Sequence, residues 1–85
     1  PEMSRRKGEE GLVMLKVDVD RVGRPTQVEL SKSSGYERLD RAALNAVSRW
    51  TFEPAKIGPL AVESTIKVPV RLRLEADLAF NRRQL

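Results

Sequence analysis

The chain has no cysteine and no histidine. Without cysteine there is no disulfide framework and no thiol redox chemistry, which leaves the compartment open. Without histidine the commonest general base and metal ligand is missing. Ser33, Ser34 and Ser48 therefore have no partner to activate them, and none sits in a nucleophile elbow. There is no glycine-rich phosphate loop, and Gly8 and Gly11 flank carboxylates that repel phosphate. The sequence points to no enzyme, no cofactor and no metal. Long apolar runs are also lacking, so no membrane span or signal peptide is visible. Aromatics are scarce, one Trp, one Tyr and two Phe among 85 residues. Neither sign of charge dominates: 16 Lys and Arg against 12 Asp and Glu leave a net +4. That balance suits an acidic partner surface and argues little for nucleic acid. The chain opens at Pro1 with no initiator Met, and we read it as a fragment or a processed product.

What is present is periodic. In Leu39–Pro54, Leu39, Ala42, Ala43, Ala46, Val47 and Trp50 form one apolar stripe at helical spacing. Arg38, Arg41, Asn45, Ser48 and Arg49 occupy the other face. Ser34 and Glu37 have capping-box spacing, and Glu37 and Asp40 put negative charge in the first turn. Thr51 and Pro54 stop the helix soon after Trp50. Trp50 reads as core, so that Trp50→Ala is expected to cost about 3–5 kcal/mol.

Two stretches alternate with period two. From Leu12 to Asp20, Val13, Leu15, Val17 and Val19 share one face. Asp20-Arg21-Val22-Gly23 is a turn, and a second strand, Pro25 to Lys32, continues the apolar face with Val28 and Leu30. The longest signal runs from Glu63 to Glu75, with Ser64, Ile66, Val68, Val70, Leu72 and Leu74 on one side. Asp18 and Asp20 have no third ligand at a supporting spacing and read as solvated strand positions. Ala55–Val62 reads as a loop punctuated by Gly58 and Pro59. Residues 1–75 form one domain, with a short helical turn ending at Gly8 or Gly11. Residues 76–85 form a tail, either a short helix or a strand using Leu78 and Phe80.

The predicted fold is α+β: a three-stranded antiparallel sheet, order 2-1-3, with the helix on one face. The other face is open and charged, and Lys16, Lys67, Arg71 and Arg73 share it without an aromatic on which a base could stack. Pro69 marks the third strand as an edge. It lacks an N–H, so its slot must face away from the first strand. By parity Thr65, Lys67, Arg71 and Arg73 also turn their main-chain groups outward. Thr65, Lys67, Pro69, Arg71 and Arg73 are thus the candidate partner-binding edge, able to accept an added strand with micromolar affinity.

Several stretches together carry a resemblance. They are EEG at Glu9–Gly11, D-x-x-G-R at Asp20–Arg24, SSGYxxLDxAALxAVxRWxFxP from Ser33 to Pro54, and IKVPVRLRL from Ile66 to Leu74. The chain resembles the C-terminal domain of the TonB family of energy transducers over nearly all of its length up to Glu75. The family's domain opens with a Tyr-Pro pair, of which Pro1 remains, and Met3 stands where the family often has a basic or polar residue. The resemblance implies a periplasmic domain of an inner-membrane-anchored protein. It implies binding to the TonB box of an outer-membrane transporter, and coupling to a proton-driven inner-membrane complex through a part upstream of Pro1. The transported cargo would be an iron chelate, haem or a vitamin. A TolA-like adaptor is the runner-up, and a structural dimerisation domain is the third reading against a monomeric binder.

Overall fold

The computed structural model describes residues 9–74. The readings of an N-terminal turn, of the tail and of Leu74 as a core side chain lie outside the described residues. Six elements follow in order: β1 Glu9–Val19, β2 Pro25–Lys32, α1 Glu37–Val47, β3 Ala55–Ile57, β4 Leu60–Val62 and β5 Ser64–Leu74. The main sheet has order β2-β1-β5 with antiparallel neighbours, as the alternation predicts. Among the described residues no helix is long and apolar enough to cross a membrane.

The buried core is Val13, Leu15, Val17 and Val19 of β1, Leu39, Ala43 and Val47 of α1, and Val70 of β5. The helical residues recur every four positions, and the strand residues every two. Val28, Leu44, Phe52, Val68 and Leu72 pack against this cluster while partly exposed. Lys16, Glu29, Lys67 and Arg71 lie on the exposed face, so the phase is the expected one. Ile66 and Leu30 are less buried than their alternation suggests, at 37% and 43% exposed. Helical rise makes α1 roughly 16 Å long, whereas strand rise makes β5 roughly 36 Å long. One short helix cannot cover both outer strands along their length.

Five local readings need correction. The helix ends at Val47, not at Trp50. Arg49 and Trp50 donate backbone N–H to Ala46 and Val47, three residues back, which tightens the exit and turns Trp50 off the stripe. Trp50 is 45% exposed and leans on Phe52, 6.0 Å between ring centroids. Phe52 takes the core contact assigned to Trp50. Leu39→Ala is accordingly expected to lower the denaturation free energy by about 2–5 kcal/mol. Trp50→Ala should lose less than half as much, which urea unfolding of the two variants would compare.

The capping box does not form. Tyr36 is the N-cap and makes no side-chain cap bond, while Glu37 pairs with Arg41 at 2.9 Å. Instead Asp40 reaches back to the β2–α1 connection. Its carboxylate accepts from Ser33 Oγ, from Ser34 N–H at 2.9 Å and from Ser34 Oγ at 2.9 Å. The loop read between Pro54 and Glu63 is a hairpin: β3 and β4 pair antiparallel, with Ile57 opposite Leu60. Gly58 takes φ +62° in its two-residue turn. Strands of three residues are too short to show a period. Finally, β1 starts at Glu9, because Glu9, Glu10 and Gly11 pair with Leu74, Arg73 and Leu72.

The Ser33 bond, then the Ser34 amide, hold the Asp40 carboxyl below its usual 3.8, against a smaller opposing effect of burial. A depressed folded-state value contributes stability above the usual value, and the contribution is lost as pH falls through the folded-state one. Ser33→Ala should raise the Asp40 pKa in an NMR titration. The stability gap between variant and parent should be present at neutral pH and close in acid below the usual value.

Candidate functional site

The candidate site is the outward side of β5. The strand has β1 on one side and, among the described residues, no strand on the other. Which of its residues turn their main chain outward follows from β1. The Asp18 carbonyl accepts from Thr26 Oγ1 of β2 at 3.3 Å, and Asp20 N–H donates to the Arg24 carbonyl at 2.9 Å. Both therefore look toward β2. Alternation gives Leu12, Met14 and Lys16 the same direction and turns Val13, Leu15, Val17 and Val19 toward β5. The β1–β5 register is unbroken, so those four exchange bonds with Val70, Val68, Ile66 and Ser64. Pro69, opposite Met14, falls between bonded pairs. Its missing N–H costs the sheet nothing there. Thr65, Lys67, Arg71 and Arg73 share its parity, and all four are exposed.

The opposite edge, β2, differs. Its register with β1 slips twice, leaving Ser31 and Thr26 as extra residues. Such bulges twist an edge and interrupt its row of donors and acceptors. Strand β5 is the long, regular edge.

Charge on the open face is one-sided along β5. Lys16 lies directly across from Lys67, and Lys16 is drawn to Glu29 at 3.8 Å. Arg73 lies 3.9 Å from Glu10. Among the described residues Lys67 and Arg71 have no carboxylate at ion-pair distance. On the helix side of the same strand, exposure falls from Ile66 through Val68 to Val70, which is 8% exposed. The sequence reading missed this apolar rim; the mismatch in length between helix and strand is the signal that reveals it.

The two aspartates flanking the first turn have local work. Asp20 Oδ1 accepts from the N–H of Val22 at 3.0 Å and of Arg24 at 2.8 Å, closing the turn. Asp18 Oδ1 accepts from Thr65 Oγ1 at 2.8 Å, across the β1–β5 seam. Among the described residues no group of three or more His, Cys, Asp or Glu is placed to hold a metal ion.

The family described as Gram-negative bacterial TonB protein C-terminal matches residues 1–74. The chain is 45% identical to Protein tonB2 of Pseudomonas aeruginosa over 74 residues, covering 87% of this chain and 27% of that protein. It is 37% identical to Protein TonB of Vibrio cholerae over 75 residues, 88% of this chain and 31% of the relative. Against Protein TonB of Xanthomonas campestris pv. campestris the figures are 38% over 74 residues, 87% and 33%. The chain thus spans between a quarter and a third of the length of these relatives. No solved structure matches it.

Proposed function

The chain belongs to the Gram-negative bacterial TonB protein C-terminal family, and from that premise we propose that it is the non-catalytic, partner-binding domain of a periplasmic energy transducer. The whole protein is anchored in the inner membrane and coupled there to a proton-driven complex. The domain takes the TonB box of an outer-membrane transporter as an added strand on β5 and transmits pull for uptake of an iron chelate, haem or vitamin. The observation that carries this reading is the unbulged edge of β5, whose main-chain groups at Thr65, Lys67, Pro69, Arg71 and Arg73 point away from β1.

An added strand suits a force-bearing contact. Tension applied along the strand loads several hydrogen bonds together instead of one after another. About five such bonds at roughly 0.5–1.5 kcal/mol each, less about 2–5 kcal/mol for ordering the segment, fall short of the roughly 8 kcal/mol of micromolar binding. Side chains beside the edge supply the remainder. Pairing of two copies through β5 is disfavoured by charge: an antiparallel two-fold pairing centred on Pro69 sets Lys67 against Arg71 of the second copy.

The test is a titration of the 85-residue chain with a panel of transporter N-terminal peptides, read by calorimetry and amide exchange. At least one peptide should bind at micromolar concentration, weaken moderately with salt and ignore a chelator. The N–H groups of Thr65, Lys67, Arg71 and Arg73 should exchange fast when free and slowly when bound. Protection appearing on β2 instead, or a molecular mass that rises with concentration as the edge becomes protected without peptide, would overturn the reading.

A further inference from the structure

The open face of β5 holds an arrangement that no described residue satisfies. Lys67 sits directly opposite Lys16, and like charges facing across two strands destabilise the pair. Lys16 leans to Glu29. Lys67 has no carboxylate partner among the described residues, and neither has Arg71 four residues along. Between these two cations stands Pro69, exposed and uncharged. On the helix side of the same edge the flanking residues, Val68 and Val70, are apolar, and the partly uncovered Ile66 extends their rim.

A strand added to this edge alternates its own side chains between the two faces. The residue opposite Pro69 lies on the open face, diagonal to both Lys67 and Arg71, at a spacing that long side chains bridge. Its two neighbours lie opposite Val68 and Val70, on the helix side. This holds whichever way the added strand runs, because the pattern is symmetric about Pro69. Resting on the strand-addition reading, we infer that the bound segment carries an apolar–acidic–apolar triplet, with its carboxylate opposite Pro69 and shared by Lys67 and Arg71. The carboxylate supplies the missing countercharge and offsets the Lys16–Lys67 repulsion. The apolar pair continues the core past the reach of the helix. The triplet supplies the side-chain energy that the backbone bonds lack.

The probes are short capped peptides of alternating valine and glutamine whose central glutamine is replaced by Asp, Asn or Lys. At low salt the Asp peptide should bind the intact chain roughly tenfold more tightly than the Asn peptide, and the Lys peptide most weakly. The Asp preference should shrink as salt rises. In the double variant Lys67→Gln, Arg71→Gln the Asp and Asn peptides should bind alike. In Lys67→Glu, Arg71→Glu the Lys peptide should lead. All four substitutions fall on exposed positions, and circular dichroism checks that the fold is kept. Equal binding of the Asp and Asn peptides to the parent, with β5 amides protected by both, overturns the triplet and leaves strand addition standing. If no peptide protects the β5 amides, both fall together.

Discussion

Gly23→Ala should lower the denaturation free energy by about 2–5 kcal/mol, out of a total on the order of 4–13 kcal/mol for a domain of this size. Gly23 closes the β1–β2 turn at φ +90° and is buried, although it lies in a surface hairpin. Its carbonyl accepts from the Phe52 N–H at 2.8 Å, and a Cβ built on it would come within 2.1 Å of the Phe52 carbonyl oxygen. Alanine therefore meets two costs. The backbone must hold a conformation worth about 1–3 kcal/mol of strain. The Phe52 segment must also withdraw, losing a hydrogen bond of roughly 0.5–1.5 kcal/mol and part of the Phe52 contact with the core. Gly35 is the internal control: its φ is +98°, but nothing lies within 4 Å of its Cβ position. Gly35→Ala should show the strain alone. Urea unfolding that found the two variants equally destabilised would remove the clash from the account. The contact matters beyond stability, because it pins the chain between α1 and the β3–β4 hairpin, from which β5 starts.

β1 and β5 were legible because each alternates apolar and polar residues, and β2 because a turn precedes it and Val28 and Leu30 keep the alternation, although none of its residues is fully buried. Val13, Leu15, Val17 and Val19 alternate with polar residues, and no other element type fits that period. The helix was legible from Leu39, Ala43 and Val47, but its end was not. The stripe continues by chance through Trp50, while the exit turn is set by the three-back bonds at Arg49 and Trp50, which leave no periodic trace. The serine-rich connection suggested a cap, yet Asp40 does the tying from within the helix. A carboxylate one turn in is close enough to fold back over the connection, and spacing alone does not tell it from an ordinary first-turn acid. The β3–β4 hairpin was hidden by its brevity. At the candidate site, Pro69 pointed to its side of β5 because a missing N–H is harmless only where it faces away from β1. The Ile66 rim and the Lys16–Lys67 opposition required the register, which depends on pairing between residues some fifty positions apart.

The largest functional contrast should come from two adjacent proline substitutions. Lys67 turns its N–H outward, so Lys67→Pro removes a donor that no other described strand uses. The domain should keep its unfolding free energy to within about 1 kcal/mol, since Pro69 already shows that the strand tolerates proline at this parity. Peptide affinity should fall by roughly two- to twelve-fold for the lost backbone bond, the equivalent of about 0.5–1.5 kcal/mol, beyond the effect of Lys67→Gln, which removes the charge and keeps the N–H. Val68 points the other way, into the pair it makes with Leu15, whose side chain is fully buried. Val68→Pro deletes the donor to the Leu15 carbonyl in the dry centre of the sheet. An acceptor left bare there costs about 1–3 kcal/mol, and the ring carbon that replaces the N–H hydrogen stands against the Leu15 carbonyl and pushes β5 from β1. Together with the lost Val68 packing, that should leave little of the cooperative transition. Thermal melts and peptide titrations of Lys67→Pro, Val68→Pro and Lys67→Gln decide the matter. A folded Val68→Pro beside an unfolded Lys67→Pro would place the bonded side of β5 on the opposite parity. The added strand would then have no outward N–H at Lys67 or Arg71 to bind.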